Sequence, residues 1–225
     1  DPYEEPQHPE IIVDSDRLTV EESAQLVLRR LVELGYLPAL PEPGTSRRIL
    51  RIITRLNIGG PAIHAALLST RLNPQRYATC LVVGRPDTTE GDLHDLVRDP
   101  RARVVTLGAM RRPIHPLRDL VAWWQLMRLI WRERPQLIHT HMAKAGTLGR
   151  SAGLLYNWFG PGRTPQQRVR LVHTFHGHVL EGYFQSWLAR IFLVIERWLA
   201  RQTDCLIAVS PAVRDELLAK GIGRP

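Results

Sequence analysis

The chain has 225 residues, 44% of them hydrophobic and 23% charged, a composition typical of folded globular proteins that excludes a disordered or fibrous class. Its formal net charge of +8 comes mostly from arginine and favours anionic partners such as phosphates, carboxylates or anionic membrane surfaces. Nucleic acid is also anionic, but the sequence has no zinc-finger spacing, no recognition-helix pattern and no basic run with interleaved aromatic residues, so we predict no nucleic acid partner.

The cysteines and the apolar runs indicate the compartment. Cys80 and Cys205 each lie inside a strand-like apolar run, which predicts buried, reduced thiols in a cytoplasmic protein. The most apolar segment, SWLARIFLVIERWLA, contains charged residues and is shorter than the roughly 18 apolar residues that a spanning helix needs. The chain starts at Asp1 and ends soon after a helical pattern, so we expect it to be part of a longer protein.

The first segment, residues 1–37, begins rich in proline and passes through a short strand-like run, IIVD, to a helix. Thr19 and Glu22 have the spacing of a capping box at the start of that helix. Apolar residues then recur at helical spacing, and Gly35 is its predicted end. The segment is therefore predicted to be a helical appendage.

Residues 38–48, PALPEPGTSRR, have three prolines and no apolar periodicity, and we interpret them as a linker. From residue 49 to residue 225, strand-like runs alternate with helix-like runs. The six strand-like runs are ILRIITRL, YATCLVVG, RVVTL, QLIHTH, RVRLVHTFHG and CLIAVS. This alternation predicts a Rossmann-like α/β domain, a doubly wound parallel sheet with ligands bound at the carboxyl ends of its strands.

The first strand is followed by Asn57-Ile58-Gly59-Gly60-Pro61 and then by a helix. Glycines allow close backbone approach, and free N–H groups at a helix start bind anions. An ordinary tight turn would have the same residues, and the segment matches neither a dinucleotide nor a P-loop motif. We therefore expect no self-contained dinucleotide or ATP site.

Five of the nine histidines lie at the ends of two strands: His139, His141, His173, His176 and His178. Alternate strand residues share a face, so His139 and His141 are predicted to lie together. Zinc is an alternative explanation, but no HExxH or CxxC pattern accompanies them, and we predict no metal. Hydrogen-bonded structural roles remain open for each, and His176, which precedes a glycine, is the strongest candidate for ligand contact.

One helix-like run combines Trp123, Trp124, Met127 and Trp131 with several arginines. Such a stripe favours packing against the sheet, with arginines extending from its border. Contact with a membrane surface is the alternative interpretation.

Residues 49–225 resemble the N-terminal domain of the family-4 glycosyltransferases. The resemblance is carried by four ordered blocks: ITRLNIGGPAIHAALLSTRL, RPQLIHTHMAKAGTLGRSAG, VHTFHGHVLEGYF and TDCLIAVSPAVRDELLAKGI. It implies the GT-B fold, in which two Rossmann-like domains face each other across a cleft. The N-terminal domain mainly binds the acceptor and the C-terminal domain binds the nucleotide sugar. The C-terminal donor domain is missing from this chain, so we expect the chain alone to be inactive.

The same resemblance assigns roles to single residues. Gly59 and Gly60 would face the donor phosphates, and His176 would be the cleft histidine that contacts the transferred sugar and assists transfer. Lys144, Glu181 and His141 would line the acceptor side. The family generally retains anomeric configuration without a metal or other cofactor. Expected partners are a nucleotide sugar and a glycan or lipid-linked acceptor, the latter at the inner face of a membrane.

Residues 1–37 resemble the C-terminal tail of adenylylsulfate kinase, continuously from DPYE to LGYL. The P-loop and catalytic residues of that enzyme have no counterpart here, so the resemblance implies no kinase activity in this chain. It implies a fused or adjacent kinase module, and chance similarity of a capping helix is the alternative.

The predicted function is thus the acceptor-binding half of a glycosyltransferase. A stand-alone module that binds an anion or a glycan is one alternative. A nucleotide-sugar epimerase fragment is another, and it would need carboxylates at strand ends, where only Glu181 is a candidate.

Overall fold

The structure is a computed structural model that describes residues 17, 19–34, 46–85, 93, 97, 102–177 and 186–224. The chain divides into two compact units, Asp1–Thr45 and Ser46–Pro225. The predicted assignment of a kinase-tail-like segment, a linker and a transferase domain stays a prediction.

The first unit contains helix α1 (Val20–Glu33). Its start is a reciprocal capping box: the Thr19 backbone N–H donates to Glu22 Oε2 over 2.8 Å, and the Glu22 N–H donates to Thr19 Oγ1 over 3.3 Å. These bonds satisfy N–H groups that the first turn of a helix leaves unpaired, as the Thr19–Glu22 spacing predicts. The IIVD run and Gly35 lie outside the described residues.

The second unit is built on six strands: β1 (Arg47–Ile53), β2 (Tyr77–Gly84), β3 (Ala102–Leu107), β4 (Leu137–His141), β5 (Arg170–Phe175) and β6 (Cys205–Ala208). Every neighbouring pair is parallel, and the order is β3-β2-β1-β4-β5-β6. The direction of winding reverses between β1 and β4, which opens a crevice at their carboxyl ends. The predicted doubly wound α/β fold is confirmed.

Five helices complete this unit: α2 (Gly60–Thr70), α3 (Pro116–Glu133), α4 (Ala143–Phe159), α5 (Ser186–Gln202) and α6 (Pro211–Ala219). Side chains of β1 alternate between two apolar clusters on opposite faces of the sheet. Leu50 and Ile52 pack with residues of α3, α4 and α5. Ile53 packs with alanines of α2. Central strands covered on both faces explain the nearly continuous apolar runs in the sequence.

Helix α4 lies unusually close to the sheet because it presents glycines to it. A Cβ atom added at Gly149 would lie 2.7 Å from Thr140 Cγ2 and 2.8 Å from Ile52 Cδ1. At Gly146 it would lie 2.6 Å from His173 Cε1. The glycines thus permit an approach that any side chain would prevent, and they bring the start of α4 close to the ends of β4 and β5.

The prediction for the tryptophan-rich helix, α3, holds in part. Trp123 and Trp131 pack against the buried core, and the Trp123 Nε1–H group donates to Ser151 Oγ over 3.1 Å. Trp124 is 53% exposed, and the Arg128 guanidinium lies over its ring at 4.7 Å. Within the described residues, no helix is long and apolar enough to cross a membrane.

The predicted burial of the thiols holds in part for Cys80, which packs against the core, and is wrong for Cys205. Cys80 on β2 is half-buried, whereas Cys205 is exposed. The reason is position: β6 is an edge strand in which every second residue is exposed, so an apolar run there does not imply full burial.

Candidate functional site

Three histidines from three different elements meet at the carboxyl edge of the sheet: His64 on α2, His141 at the end of β4, and His176 directly after β5. The His141 Nδ1 and His176 Nε2 atoms are 3.0 Å apart. The ring centre of His64 lies 5.6 Å from that of His141 and 5.3 Å from that of His176. We refer to His64, His141 and His176 as the histidine cluster.

Strand geometry explains how two members come together. In β4, His139 and His141 point to the same face, and their ring centres are 4.2 Å apart, as their spacing predicts. Residue Thr174 of β5 is in register with His141, and the chain reaches His176 two residues later. The parallel register therefore places His141 and His176 side by side at the strand ends.

His64 is the functional candidate that sequence reasoning missed. It lies in the second turn of α2, and no linear pattern connects it with residues more than 70 positions away. No signal in the sequence marks it, because the relation depends on strand pairing: α2 begins at the carboxyl end of β1, and β1 pairs with β4. Residues near the start of α2 must therefore share an edge with the end of β4.

Two other strand-end histidines have hydrogen-bonded positions inside the sheet. The His139 Nε2 atom lies 2.8 Å from Thr174 Oγ1, and the His173 Nδ1 atom lies 2.8 Å from Thr140 Oγ1. Both residues are buried. The histidines thus separate into a partnered pair within the sheet and the cluster at its edge. His178 and Glu181 lie outside the described residues.

The environment of the histidine cluster keeps its imidazole rings neutral, mainly because they are partly or fully buried. Burial, with a smaller contribution from the neighbouring His64, lowers the pKa of His176 to about 4. Burial is also the main cause of the lowered pKa of His141 and of His64, with the Arg51 cation contributing to both. Neutral imidazoles each keep one donor and one acceptor nitrogen, so at neutral pH they are suited to orient hydroxyl groups.

Arg51 is the cation that contributes to the lowered pKa of His64 and of His141. It lies on β1, it is 2% exposed, and its Nη1–H group donates to Ser69 Oγ on α2 over 3.0 Å. Burial lowers its pKa to about 10, which leaves it charged at neutral pH. The cluster therefore lies in a positive environment.

The start of α2 is open. Gly59 is the N-cap residue, and within the described part of the chain no side-chain hydrogen bond caps this end. A Cβ atom at Gly60 would meet nothing within 4 Å, and one at Gly59 would meet only Pro61 Cδ at 3.8 Å. Packing therefore does not require these glycines, and the free N–H groups of the helix start face accessible space.

Lys144 has a structural position. Its ammonium group has three N–H donors. They contact the carbonyl oxygens of Arg111 at 2.8 Å and Pro113 at 2.6 Å, and the Asp119 carboxylate at 2.6 Å. Lys144 thus connects the start of α4 to the segment before α3 and to α3 itself. Its predicted acceptor-side role stays a prediction.

The turn between β4 and α4 stores backbone strain. Met142 follows His141 directly and has φ 68° and ψ 153°, a left-handed conformation that is costly for a residue with a side chain. Its side chain packs against the apolar cluster of α2. That packing holds a sharp turn at the end of β4, next to His141.

The family model described as glycosyl transferase 4-like domain matches residues 59–225. The chain belongs to this family. The matched region includes α2 and its histidine, both strands that hold the other two members of the cluster, and α6. The recognition made from the four sequence blocks is thereby confirmed.

Individual relatives agree with this membership. EpsD of Bacillus subtilis (strain 168), a protein provisionally named a glycosyltransferase, is 30% identical over 117 residues, 51% of this chain and 27% of EpsD.

A second relative matches a different kind of protein. A Pyrococcus abyssi (strain GE5 / Orsay) protein provisionally named adenylyl-sulfate kinase is 61% identical over 36 residues, 16% of this chain and 21% of that protein. The chain therefore spans about a quarter of the length of the curated relatives it matches.

Solved structures show the same fold. The structure of sucrose-phosphate synthase from Thermosynechococcus elongatus matches with a TM-score of 0.54 at 16% identity, and the match covers 80% of this chain and 46% of the synthase. A UDP-N-acetylglucosamine 2-epimerase matches with a TM-score of 0.51 at 16% identity, over 78% and 45% of the two chains. Each match extends over about half of a larger protein.

Proposed function

We propose that residues 49–225 form the acceptor-side half of a glycosyltransferase, which moves a sugar from a nucleotide sugar to a glycan or lipid-linked acceptor. The family match to residues 59–225 is the observation that carries the proposal. The position of the histidine cluster supports it, because the cluster lies at the edge where doubly wound sheets bind their ligands.

On this proposal, the start of α2 faces the donor diphosphate. The backbone N–H groups near Gly59 and Gly60 are open, and the positive end of a helix stabilises negative charge that develops on a leaving group. The buried Arg51 cation adds to the positive potential around the cluster. The charge of the departing diphosphate is thereby stabilised without a metal or other cofactor.

His176 is proposed to hold the transferred sugar. Its lowered pKa keeps the ring neutral, so it can hydrogen-bond a sugar hydroxyl in either direction. Gly177, the next residue, has φ 149°, a conformation that favours glycine and leaves the backbone beside His176 without a side chain. His141 contacts His176 and is proposed, with Glu181, to line the acceptor side.

The proposed reaction retains the configuration of the sugar. The bond between the anomeric carbon and the diphosphate oxygen breaks, and a bond to an acceptor hydroxyl forms on the same face. The hydroxyl proton passes to the leaving diphosphate. Because the nucleotide would be held by a second domain, this chain alone is proposed to be inactive.

The experiment measures nucleoside diphosphate release from a panel of nucleotide sugars by the parent protein that includes a donor domain. We expect His176→Ala to lower the rate about 100-fold or more, the range seen when one preorganised hydrogen-bond donor is removed. The control is His115→Asn, which removes an exposed imidazole and keeps a good N-cap residue at α3. A folded His176→Ala protein with an unchanged rate would remove His176 from the site.

The epimerase alternative receives no support from the strand ends. The segments that follow the six strands within the described residues contain histidine, arginine, asparagine and serine, but no carboxylate. The likeness to an epimerase structure at 16% identity concerns the fold. A stand-alone binding module would release no diphosphate in any parent protein, so the same assay separates it from the transferase.

We also propose that the outer face of α3 contacts the membrane that carries a lipid-linked acceptor. Leu117, Leu120 and Trp124 are 72%, 61% and 53% exposed, and Arg128 lies over the Trp124 ring. Exposed apolar residues next to arginines suit an anionic lipid interface.

Sedimentation with phosphatidylglycerol vesicles tests the membrane contact. Leu120→Ser should weaken binding, whereas Leu67→Ser, which changes a 43% exposed leucine on α2, should not. Equal binding by both variants would contradict the contact.

Residues 1–37 are proposed to be the end of an adjacent kinase module, on the basis of the 61% identity over 36 residues. The test is the sequence upstream of Asp1. A P-loop motif there would support the fusion, and its absence from a complete upstream frame would refute it.

A further inference from the structure

We infer that His64, His141 and His176 form a binding site for a divalent transition-metal ion, with one coordination position left open. One ring nitrogen from each residue can be chosen so that all three lie within 4.8 Å of one another. The His141 Nδ1 and His176 Nε2 atoms are 3.0 Å apart. Zinc–nitrogen bonds of 2.0–2.1 Å in a tetrahedral site imply about 3.4 Å between ligand atoms, so small ring rotations are sufficient.

Unpartnered nitrogens point to a ligand. His141 is fully buried, and its Nε2 atom has no hydrogen-bond partner within the part of the chain that the structure describes. The buried Nδ1 atom of His64 has none there either. A buried polar atom without a partner is destabilising, so such atoms need an explanation. The contact between His141 and His176 uses the Nδ1 atom of His141 and leaves its Nε2 atom without a partner there.

Contrast within the same sheet edge supports this assignment. His139 and His173 are as buried as His141, but each has a threonine hydroxyl 2.8 Å from a ring nitrogen. These residues therefore have the bonded structural role that is usual for buried histidines. Only the cluster combines nearby rings with unpartnered nitrogens among the histidines that the structure describes.

The ligand atoms select the class of metal. Three imidazoles suit Zn²⁺, Co²⁺, Ni²⁺ or Cu²⁺, whereas Mg²⁺ and Ca²⁺ prefer oxygen ligands. Three protein ligands with a fourth open position are typical of exchangeable zinc sites, and structural sites have four. The Arg51 cation acts electrostatically on His64 and His141 and opposes a dication, so we expect weaker binding than at a closed structural site.

Occupation of the site would also affect the proposed reaction, and this consequence alone rests on the proposed function. A metal ion bound to His176 would remove that ring from the sugar. Transition metals should therefore inhibit transfer, and a chelator should restore it.

The test is titration of the untagged chain with Co²⁺, whose visible absorption reports tetrahedral coordination. We expect one saturable equivalent that Zn²⁺ displaces. His64→Ala and His176→Ala should each weaken binding at least about 10-fold, equivalent to about 1.4 kcal/mol. His115→Asn, the matched control for loss of an exposed imidazole, should bind like the wild type.

Circular dichroism establishes that each variant is folded, and alanine at position 64 preserves the α2 helix because of its high helix propensity. No saturable Co²⁺ binding by the folded wild type would overturn the site. So would unchanged binding by both folded cluster variants. Co²⁺ binding and diphosphate release are measured separately, so the transferase assay can fail while the metal titration still supports or overturns the metal site.

Discussion

Replacing Glu196 with glutamine removes the counter-charge of a buried arginine. The Arg150 Nη2 group donates to Glu196 Oε2 over 2.7 Å, and the two side chains are 0% and 7% exposed. Arg150 Nε also donates to the Gly146 carbonyl oxygen over 3.0 Å. The pair therefore connects α4 to α5 in the layer behind the histidine cluster.

The expected cost follows from this burial. Removing one partner of a buried pair leaves an uncompensated charge and costs about 3–5 kcal/mol. For a folded unit of this size, each kcal/mol lowers Tm by about 2–4 °C, so Glu196→Gln should lower it by about 6–20 °C. The double variant Arg150→Met with Glu196→Leu removes both charges, and it should recover most of that loss because apolar side chains of similar volume fill the same space.

Urea and thermal denaturation of Glu196→Gln, of the single variants Arg150→Met and Glu196→Leu, and of the double variant measure the coupling. The control is Asp215→Asn, which breaks the exposed Arg214–Asp215 pair, with side chains 65% and 63% exposed, and should change stability by less than about 1 kcal/mol. If Glu196→Gln cost no more than Asp215→Asn, the argument from burial would be refuted.

Three further predictions concern packing, hydrogen bonding and pH. Gly149→Ala should lower the unfolding free energy measured by chemical denaturation by about 1–3 kcal/mol, because the added Cβ atom would lie 2.7 Å from Thr140 Cγ2. The control is Gly108→Ala, which should be neutral because its added Cβ atom would have nothing within 4 Å. Equal effects of the two variants would contradict the close approach of α4. Asn157→Ala should lower the unfolding free energy by about 2–4 kcal/mol, because the Asn157 side chain accepts from the Val169 N–H over 3.0 Å and donates to the Val169 carbonyl oxygen over 2.9 Å. A variant as stable as the wild type would exclude this role. The pKa of His176 is about 4 in the folded state, below the value of about 6.5 in the unfolded state, so the unfolded state binds the proton first as the pH falls. The contribution of His176 to the unfolding free energy should therefore be fully present above about pH 6.5, and the unfolding free energy should decrease as the pH is lowered from about 6.5 to about 5.5. An unfolding free energy that stayed constant or increased as the pH was lowered over that range would refute the burial argument.

Local pattern was sufficient for most of the fold. Each of the six strand-like runs became a strand, and the capping box at Thr19 formed, because these features depend on neighbours two to four residues away. Spacing also placed His139 and His141 on one face of β4. Register, which required the strand order, then determined that His176 lies beside His141.

Predictions failed where burial depended on distant elements. An apolar strand predicted a buried Cys205, but β6 is an edge strand. A tryptophan stripe predicted a packed helix face, but Trp124 is exposed while Trp123 and Trp131 pack against the core. Composition and periodicity indicate which residues can pack, but they do not indicate which of those residues the neighbouring helices and strands cover.

The sequence by itself determined the fold class, the family and a strand-end histidine, because periodicity and contiguous motifs are local properties of the chain. Only the tertiary structure decided that His64 joins His141 and His176, that Lys144 contacts three oxygens between α3 and α4, and that Met142 adopts a strained turn. The meeting of the three histidines arises from the order of strands in the sheet. That order is set by packing between residues far apart in the chain, and no local pattern encodes it.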